Sequence, residues 1–336
     1  MSAPLKVFVT DFAWPSLEVE LSVLKPIGAY LEWLPAYTDE SLLAAVSSAD
    51  AILTCWNPVP EAALHTATHC KVVGRYGIGL DNIPVELATQ LGILVTNVPR
   101  FCQDELSDQV MAFILAHARQ ISVLNERVKA GLWDRTLDPP MRRLRGQTLG
   151  LVGFGSSARA LVPKAAAFGL RILAHTPRLR PQHLLPGVTL APSLQELLKQ
   201  ADYVSLHAPL TRETFRLIDA AALRCMKRSA VLINTARGDL VDETALAQAL
   251  ENHAIAGAGL DVLVHEPPRG PLPWQDHPNV MTTPHSAFLS AESLQELAYQ
   301  GAANVAQVLL GRRPANLVNP EVLDQANCRL RRTPDG

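Results

Sequence analysis

One stretch limits the possible folds of this chain more than any other. Between Thr148 and Arg178, a short apolar run (Leu149, Leu151, Val152) leads into Gly153-Phe154-Gly155-Ser156-Ser157-Ala158. Ala160, Leu161, Ala165 and Phe168 then recur at helical spacing, Gly169 stops the repeat, and a second apolar run starts at Arg171 and reaches Ala174. Strand, glycine turn, helix, strand is the opening of a parallel βαβ unit. The spacing of the small residues fits a dinucleotide. The first glycine permits the tight turn, the second lets backbone approach a pyrophosphate, and the third small residue lets helix lie close to strand. The helix N-terminus then offers N–H groups to anionic oxygens. Glycine turns are common; this one is informative because it lies between a strand and a helix.

The end of the second strand bears on cofactor choice. A carboxylate about 20 residues past the glycines normally bonds the ribose 2′-hydroxyl of NAD. Here that place holds Thr176, followed by Pro177-Arg178-Leu179-Arg180. A hydroxyl and guanidinium groups suit a 2′-phosphate. The expected cofactor is therefore NADP in preference to NAD, against the plainer reading of a solvated basic loop.

The rest of the chain fits that unit. Its 336 residues suggest about two domains, and 48% hydrophobic content is enough for sizeable cores. A net charge of −2 gives no sign of nucleic-acid or membrane-surface binding. The five cysteines (55, 70, 102, 225, 328) show no metal-ligand spacing, so no metal is expected and reduced thiols are. No leader-like segment or membrane-length apolar window is apparent, and the expected location is the cytoplasm.

Short apolar runs alternate with helical patterns along the first hundred residues: strands near Lys6–Thr10, Ala51–Thr54, Lys71–Gly74 and Ile93–Thr96, helices near Leu17–Leu24, after Asp39 and over Val85–Leu91. This reads as an α/β unit of its own. Asp104 to Ala130 contains no Gly or Pro and reads as one long helix ended by Gly131; Trp133 to Arg145, with Pro139-Pro140, reads as loop. Further strands are expected at Tyr203–His207, Ala230–Asn234, Ile255–Leu260 and Asn279–Thr282. A helix from about Ser290 to Leu310 precedes a tail expected to return to the first domain. The fold class is thus α/β with two doubly wound parallel-sheet domains: a discontinuous flavodoxin-like substrate domain (1–103 and 289–336) and a Rossmann cofactor domain (104–288). Ligands gather outside the carboxyl ends of such strands. The polar residues there are His207, Arg237, Asp261 and His285, with Glu266 on the loop after Asp261.

Six motifs in this order resemble the D-isomer-specific 2-hydroxyacid dehydrogenase family, in the branch of C-terminal-binding-protein-like and glyoxylate/hydroxypyruvate reductase sequences. They are Arg75-Tyr76-Gly77-Ile78-Gly79-Leu80-Asp81-Asn82, the glycine turn, His207-Ala208-Pro209-Leu210-Thr211, Asn234-Thr235-Ala236-Arg237-Gly238, Asp261-Val262 with Glu266-Pro267-Pro268, and Thr283-Pro284-His285-Ser286-Ala287-Phe288. The resemblance implies an Arg/Glu/His active site at Arg237, Glu266 and His285, reducing a 2-keto acid with NAD(P)H. The chemistry agrees: histidine titrates near neutrality and suits proton delivery to the carbonyl oxygen. A carboxylate beside it would favour imidazolium and orient the ring, and arginine suits the substrate carboxylate and carbonyl.

The resemblance also implies substrate contacts from the N–H groups of Gly77, Ile78 and Gly79, with Arg75 as an extra anchor and Phe288 near the substrate. It places the cofactor on Gly153, Phe154, Gly155, Ser156, Ser157, Thr176, Arg178, His207, Ala208, Pro209, Thr235, Ala236, Arg237, Asp261 (toward the nicotinamide carboxamide) and His285. The chain departs from the family pattern in having Ser156-Ser157 for the usual Arg-Ile and Thr176 for the acidic residue. A homodimer through the cofactor domains is expected. The alternatives are a dinucleotide-sensing interaction protein of the corepressor type and phosphite oxidation. Phosphite-oxidising relatives carry lysine where this chain has Ile78.

Overall fold

The structure, a computed structural model, describes residues 4–137, 140–177 and 179–330. The chain divides into two compact units, Met1–Phe101 with Ser290–Gly336, and Cys102–Leu289.

The first unit holds a five-stranded parallel sheet of β1 (Leu5–Val9), β2 (Ala29–Trp33), β3 (Ala51–Thr54), β4 (Val72–Arg75) and β5 (Leu94–Thr96), in the order β2-β1-β3-β4-β5. Every residue of β3, β4 and β5 is buried, because helices cover both faces of such a sheet and leave its strands no wet side. Phe8, Ile52, Val73 and Val95 pack with Val46, Leu64 and Ile93 in one apolar cluster. The tail does return to this unit. Val318 donates its N–H to Val95 O (2.8 Å), and the buried Asn319 side chain bonds Val95 N, Thr89 Oγ1 and Ile93 O.

The second unit holds a seven-stranded parallel sheet: β6 (Thr148–Val152), β7 (Arg171–His175), β8 (Val188–Leu190), β9 (Tyr203–Leu206), β10 (Val231–Asn234), β11 (Gly257–Leu260) and β12 (Val280–Thr282), in the order β12-β11-β10-β9-β6-β7-β8. Alternate residues divide between two cores. In β10, Leu232 joins one cluster while Val231 and Ile233 join the other, as the two-residue period of a strand requires. Strand order reverses between β6 and β9, so the loops after these two strands flank the crevice where α/β sheets bind ligands.

Several sequence expectations need correction. Asp104 to Ala130 is not one helix but two, Gln103–Ala118 and Ile121–Lys129. Gln120 adopts a left-handed backbone (φ 51°), and its N–H and side-chain amide both donate to His117 O at 3.1 Å. That cap replaces the continuing helical bonds. In the helix Ser156–Ala167 the buried stripe is Ala158, Leu161, Val162 and Ala165, whereas Phe168 lies at the C-terminal cap, half exposed. The strands β2 and β8 are not among those the sequence pattern predicts. The expected contribution of Pro139 to the 133–145 loop lies outside the described residues; those that are described there form no helix or strand. Among the described residues no helix is long and apolar enough to cross a membrane.

Candidate active site

The glycine turn is built as its sequence demands. Gly153 has φ 95°, and a Cβ there would sit 2.7 Å from both the carbonyl carbon and oxygen of His207. Only glycine lets the loops after β6 and β9 lie back to back. Gly155 caps the helix Ser156–Ala167 and is exposed, with nothing within 4 Å of where its Cβ would be. This leaves open backbone at the N-terminus of a three-turn helix, which fits the pyrophosphate of a dinucleotide. Phe154 points inward and joins the core, with the Arg159 guanidinium 4.7 Å from its ring centre. Ser156 is exposed. Ser157 is turned toward the His207 ring, with its Oγ 3.1 Å from Nδ1.

Thr176 follows β7 directly and is half-buried; its carbonyl accepts the Leu179 N–H (3.0 Å). The segment from His175 to Gly187 contains no Asp or Glu. Arg178, expected beside the 2′-phosphate, lies outside the described residues. Ala208 is half-buried and Pro209 exposed on the loop after β9.

Arg237, Glu266 and His285 come together past the carboxyl ends of β10, β11 and β12. Asn234 folds the first of these loops: its amide donates to Arg237 O (2.7 Å) and its carbonyl oxygen accepts the Ala236 N–H (3.0 Å). Thr235 is buried within that turn and Ala236 half-buried. A Cβ on Gly238 would lie 2.0 Å from the Leu263 carbonyl carbon. The residue after Arg237 must therefore be glycine if this loop is to pack on the loop that carries Glu266. Glu266 Oε1 accepts the Leu263 N–H (2.7 Å), and Oε2 lies 2.5 Å from His285 Nδ1.

Burial alone would raise the Glu266 pKa, but the His285 bond and charge, the Leu263 N–H and the Arg237 charge outweigh it and hold it below the usual carboxylate range. An ionised carboxylate only accepts, so His285 Nδ1 is the donor in this bond.

Asp261 holds His285 in place. It is 1% exposed; Oδ1 accepts the Thr283 hydroxyl (2.5 Å) and the Ser286 N–H (2.9 Å), and Oδ2 accepts the Ala287 N–H (2.9 Å). The Asp261 carbonyl accepts the His285 N–H at 2.8 Å. His285 itself has φ 50°, a conformation that costs free energy in any residue but glycine and is held here by this clamp. The sequence marks Asp261 as a strand-end polar residue but carries no local pattern for its grip on the turn at 283–287. Phe288 meets the His285 ring edge-on, with centroids 6.3 Å apart.

In the first unit, Gly77, Ile78 and Gly79 follow β4. Val98 N–H donates to Gly77 O and the Asn97 amide to Ile78 O, both at 2.9 Å. Arg75 is buried; its guanidinium donates to Tyr76 O and lies 5.7 Å from the Trp56 ring centre. It thus supports the loop from beneath, since a Cβ on Gly77 would come within 2.8 Å of its Nη1.

Residues 111–287 match the family described as D-isomer specific 2-hydroxyacid dehydrogenase, NAD binding domain. A glyoxylate reductase of Korarchaeum cryptofilum is 38% identical over 329 residues, covering 95% of this chain and 97% of the relative. A D-3-phosphoglycerate dehydrogenase of Methanocaldococcus jannaschii is 36% identical over 94% of this chain, which spans only 59% of that protein's length. The crystal structure of a glyoxylate reductase from Paecilomyes thermophila superposes with a TM-score of 0.86 at 28% identity, covering 96% of this chain and 99% of the other.

Proposed function

This chain belongs to the D-isomer specific 2-hydroxyacid dehydrogenase family, oxidoreductases acting on the CH–OH of 2-hydroxy acids, and we propose that it works mainly as an NADPH-preferring 2-keto acid reductase. The bond from His285 Nδ1 to the ionised Glu266 carries the reading. It fixes the ring, and His285 is assigned as the proton donor to the substrate carbonyl oxygen. Arg237 supplies a planar cation for the substrate carboxylate and carbonyl. When bound, a reduced nicotinamide dinucleotide would supply the hydride for the 2-keto carbon. Gly153, Gly155 and the first turn of the helix Ser156–Ala167 would hold its pyrophosphate, and the loops after β9 and β10 its nicotinamide end.

The N–H groups of Gly77, Ile78 and Gly79 are assigned to the substrate carboxylate, with the buried Arg75 bracing their loop, and Phe288 to the substrate's flank. The glyoxylate reductase name of a 38% identical relative favours a small keto acid such as glyoxylate or hydroxypyruvate. The preference for NADPH rests on Thr176 and on the absence of a carboxylate after β7. We read the enzyme as a homodimer. The helix Ile121–Lys129 buries none of its residues and Trp133 beyond it is 89% exposed, an apolar surface of the kind a partner covers.

Steady-state rates on a 2-keto acid panel with both reduced cofactors test the assignment. His285→Ala is expected to lower kcat by about a hundredfold or more while dinucleotide affinity stays within about twofold; a variant that keeps most of its activity removes the proton-donor role. Thr176→Asp is expected to shift the NADPH/NADH ratio of kcat/KM toward NADH by about tenfold, through repulsion of the 2′-phosphate and a new ribose bond. An unchanged ratio removes the 2′-phosphate argument.

A further inference from the structure

The family pattern has an isoleucine where this chain has Ser157, and the structure gives that serine a partner. Ser157 Oγ lies 3.1 Å from His207 Nδ1, and His207 Nε2 lies 2.9 Å from Ser205 Oγ. Ser205 and His207, two apart at the end of β9, project to the same side. Ser157 stands in the first turn of the helix after β6. The three side chains therefore bridge β6 and β9, the pair between which strand order reverses.

The donors in this chain have a preferred direction. His207 keeps some accessible surface, but the protein packed round its ring pushes its pKa down to about 4, so at neutral pH it carries one N–H and one lone pair. Ser205 is fully buried, and among the described residues its hydroxyl has no acceptor other than His207. If the ring proton sat on Nε2, the Ser205 O–H would be buried without a partner, at a cost of about 1–3 kcal/mol. With the proton on Nδ1, Ser205 donates to Nε2, Nδ1 donates to Ser157 Oγ, and the Ser157 O–H is left to donate outward. Ser157 is partly exposed, at the helix end already assigned to the pyrophosphate.

We propose that Ser205, His207 and Ser157 form a one-way hydrogen-bond chain that aims the Ser157 hydroxyl as a donor to a pyrophosphate oxygen of the bound dinucleotide. Ser157 is then a contact residue for the cofactor, and His207 and Ser205 are positioning residues acting through it. The proposal rests on the dinucleotide reading of the glycine turn and adds a role for the serine that stands where the family has isoleucine, with the two residues that orient it.

Fluorescence titration with NADPH, NADH and ADP-ribose, which share the pyrophosphate, tests it. Wild-type protein should bind all three. Ser157→Ala should weaken each by a similar factor, about tenfold, and Ser157→Thr should restore most of the loss. Ser205→Ala should weaken all three by a smaller factor. 15N NMR of the NADPH complex should show His207 as the neutral Nδ1–H tautomer, a signature that a merely structural serine would not set.

A Ser157→Ala affinity within twofold of wild type, a loss confined to NADPH, or an Nε2–H tautomer in the complex overturns the proposal while leaving the dinucleotide reading intact. Wild-type protein that binds none of the three overturns both.

Discussion

Each of the two sheets reverses its strand order once, and the chain treats the two reversal points in opposite ways. In the smaller sheet the reversal lies between β1 and β3, and Asp11, just past β1, fills it. Its Oδ1 accepts the Cys55 N–H (2.9 Å), and its Oδ2 accepts the N–H groups of Trp56 (2.6 Å) and Asn57 (3.1 Å). The Asn82 amide holds the same loop from its carbonyl side, at Cys55 O and Asn57 O. Three successive N–H groups are an anion site, and here the anion is the protein's own.

In the larger sheet the reversal between β6 and β9 has no such carboxylate among the described residues. Gly155 leaves the helix N-terminus open, and the uncharged Ser157, in contact with His207, stands beside it. The shared topology offers an anion-binding spot in both units; side chains decide whether a ligand or the protein occupies it.

Substitutions at the two points can break or sharpen this contrast. The largest effect is expected at Gly153. Alanine there combines a left-handed φ with a 2.7 Å approach to the His207 backbone, and should cost about 2–4 kcal/mol of stability, seen as a lowered denaturant midpoint. A wild-type midpoint would show that the two loops are not rigidly apposed.

Asp11→Ala comes next. It strips the partner from three N–H groups that water reaches only in part, and should cost about 1–2 kcal/mol, with dinucleotide affinity unchanged. A loss of NADPH affinity without a loss of stability would mean that the carboxylate of the first unit is not a structural filler.

Gly155→Ala should be the mildest for folding, since its φ of −79° suits alanine and the space beside it is open. Stability should stay within about 0.5 kcal/mol while NADPH affinity falls several-fold, because the new methyl stands where the pyrophosphate approaches the backbone. Undiminished affinity would place the phosphates elsewhere.

Much of this was legible in the residues. The buried strands announce themselves because a parallel sheet covered on both faces needs unbroken apolar runs, as in Ala51–Thr54 and Val231–Asn234. The loops bearing Arg237, Glu266 and His285 could be placed on one edge because every parallel strand delivers its carboxyl end to the same side. The strands β2 and β8 escaped notice because each lies at a sheet edge with partly exposed residues, so neither shows such a run. The break at Gln120 escaped because no Gly or Pro marks it. Its cause is a cap on His117 O, in a segment whose His117 ring also packs against Asn279 O, 162 residues away (2.9 Å).

The sequence by itself determined the two α/β units, the glycine turn, the missing carboxylate after β7 and the placing of Arg237, Glu266 and His285 on loops past the strand ends. These follow from periodicity and local spacing, which a chain carries wherever it folds. Only the tertiary structure decided that Gly238 lets the Arg237 loop lie on the Glu266 loop, that Asp261 clamps the turn presenting His285, that Asp11 fills one reversal point, and that Ser157 faces His207 at the other. Each of these joins residues from different strand ends. Hydrogen bonds and van der Waals contacts act over a few ångströms, so their partners are fixed only once the sheet has set those ends side by side.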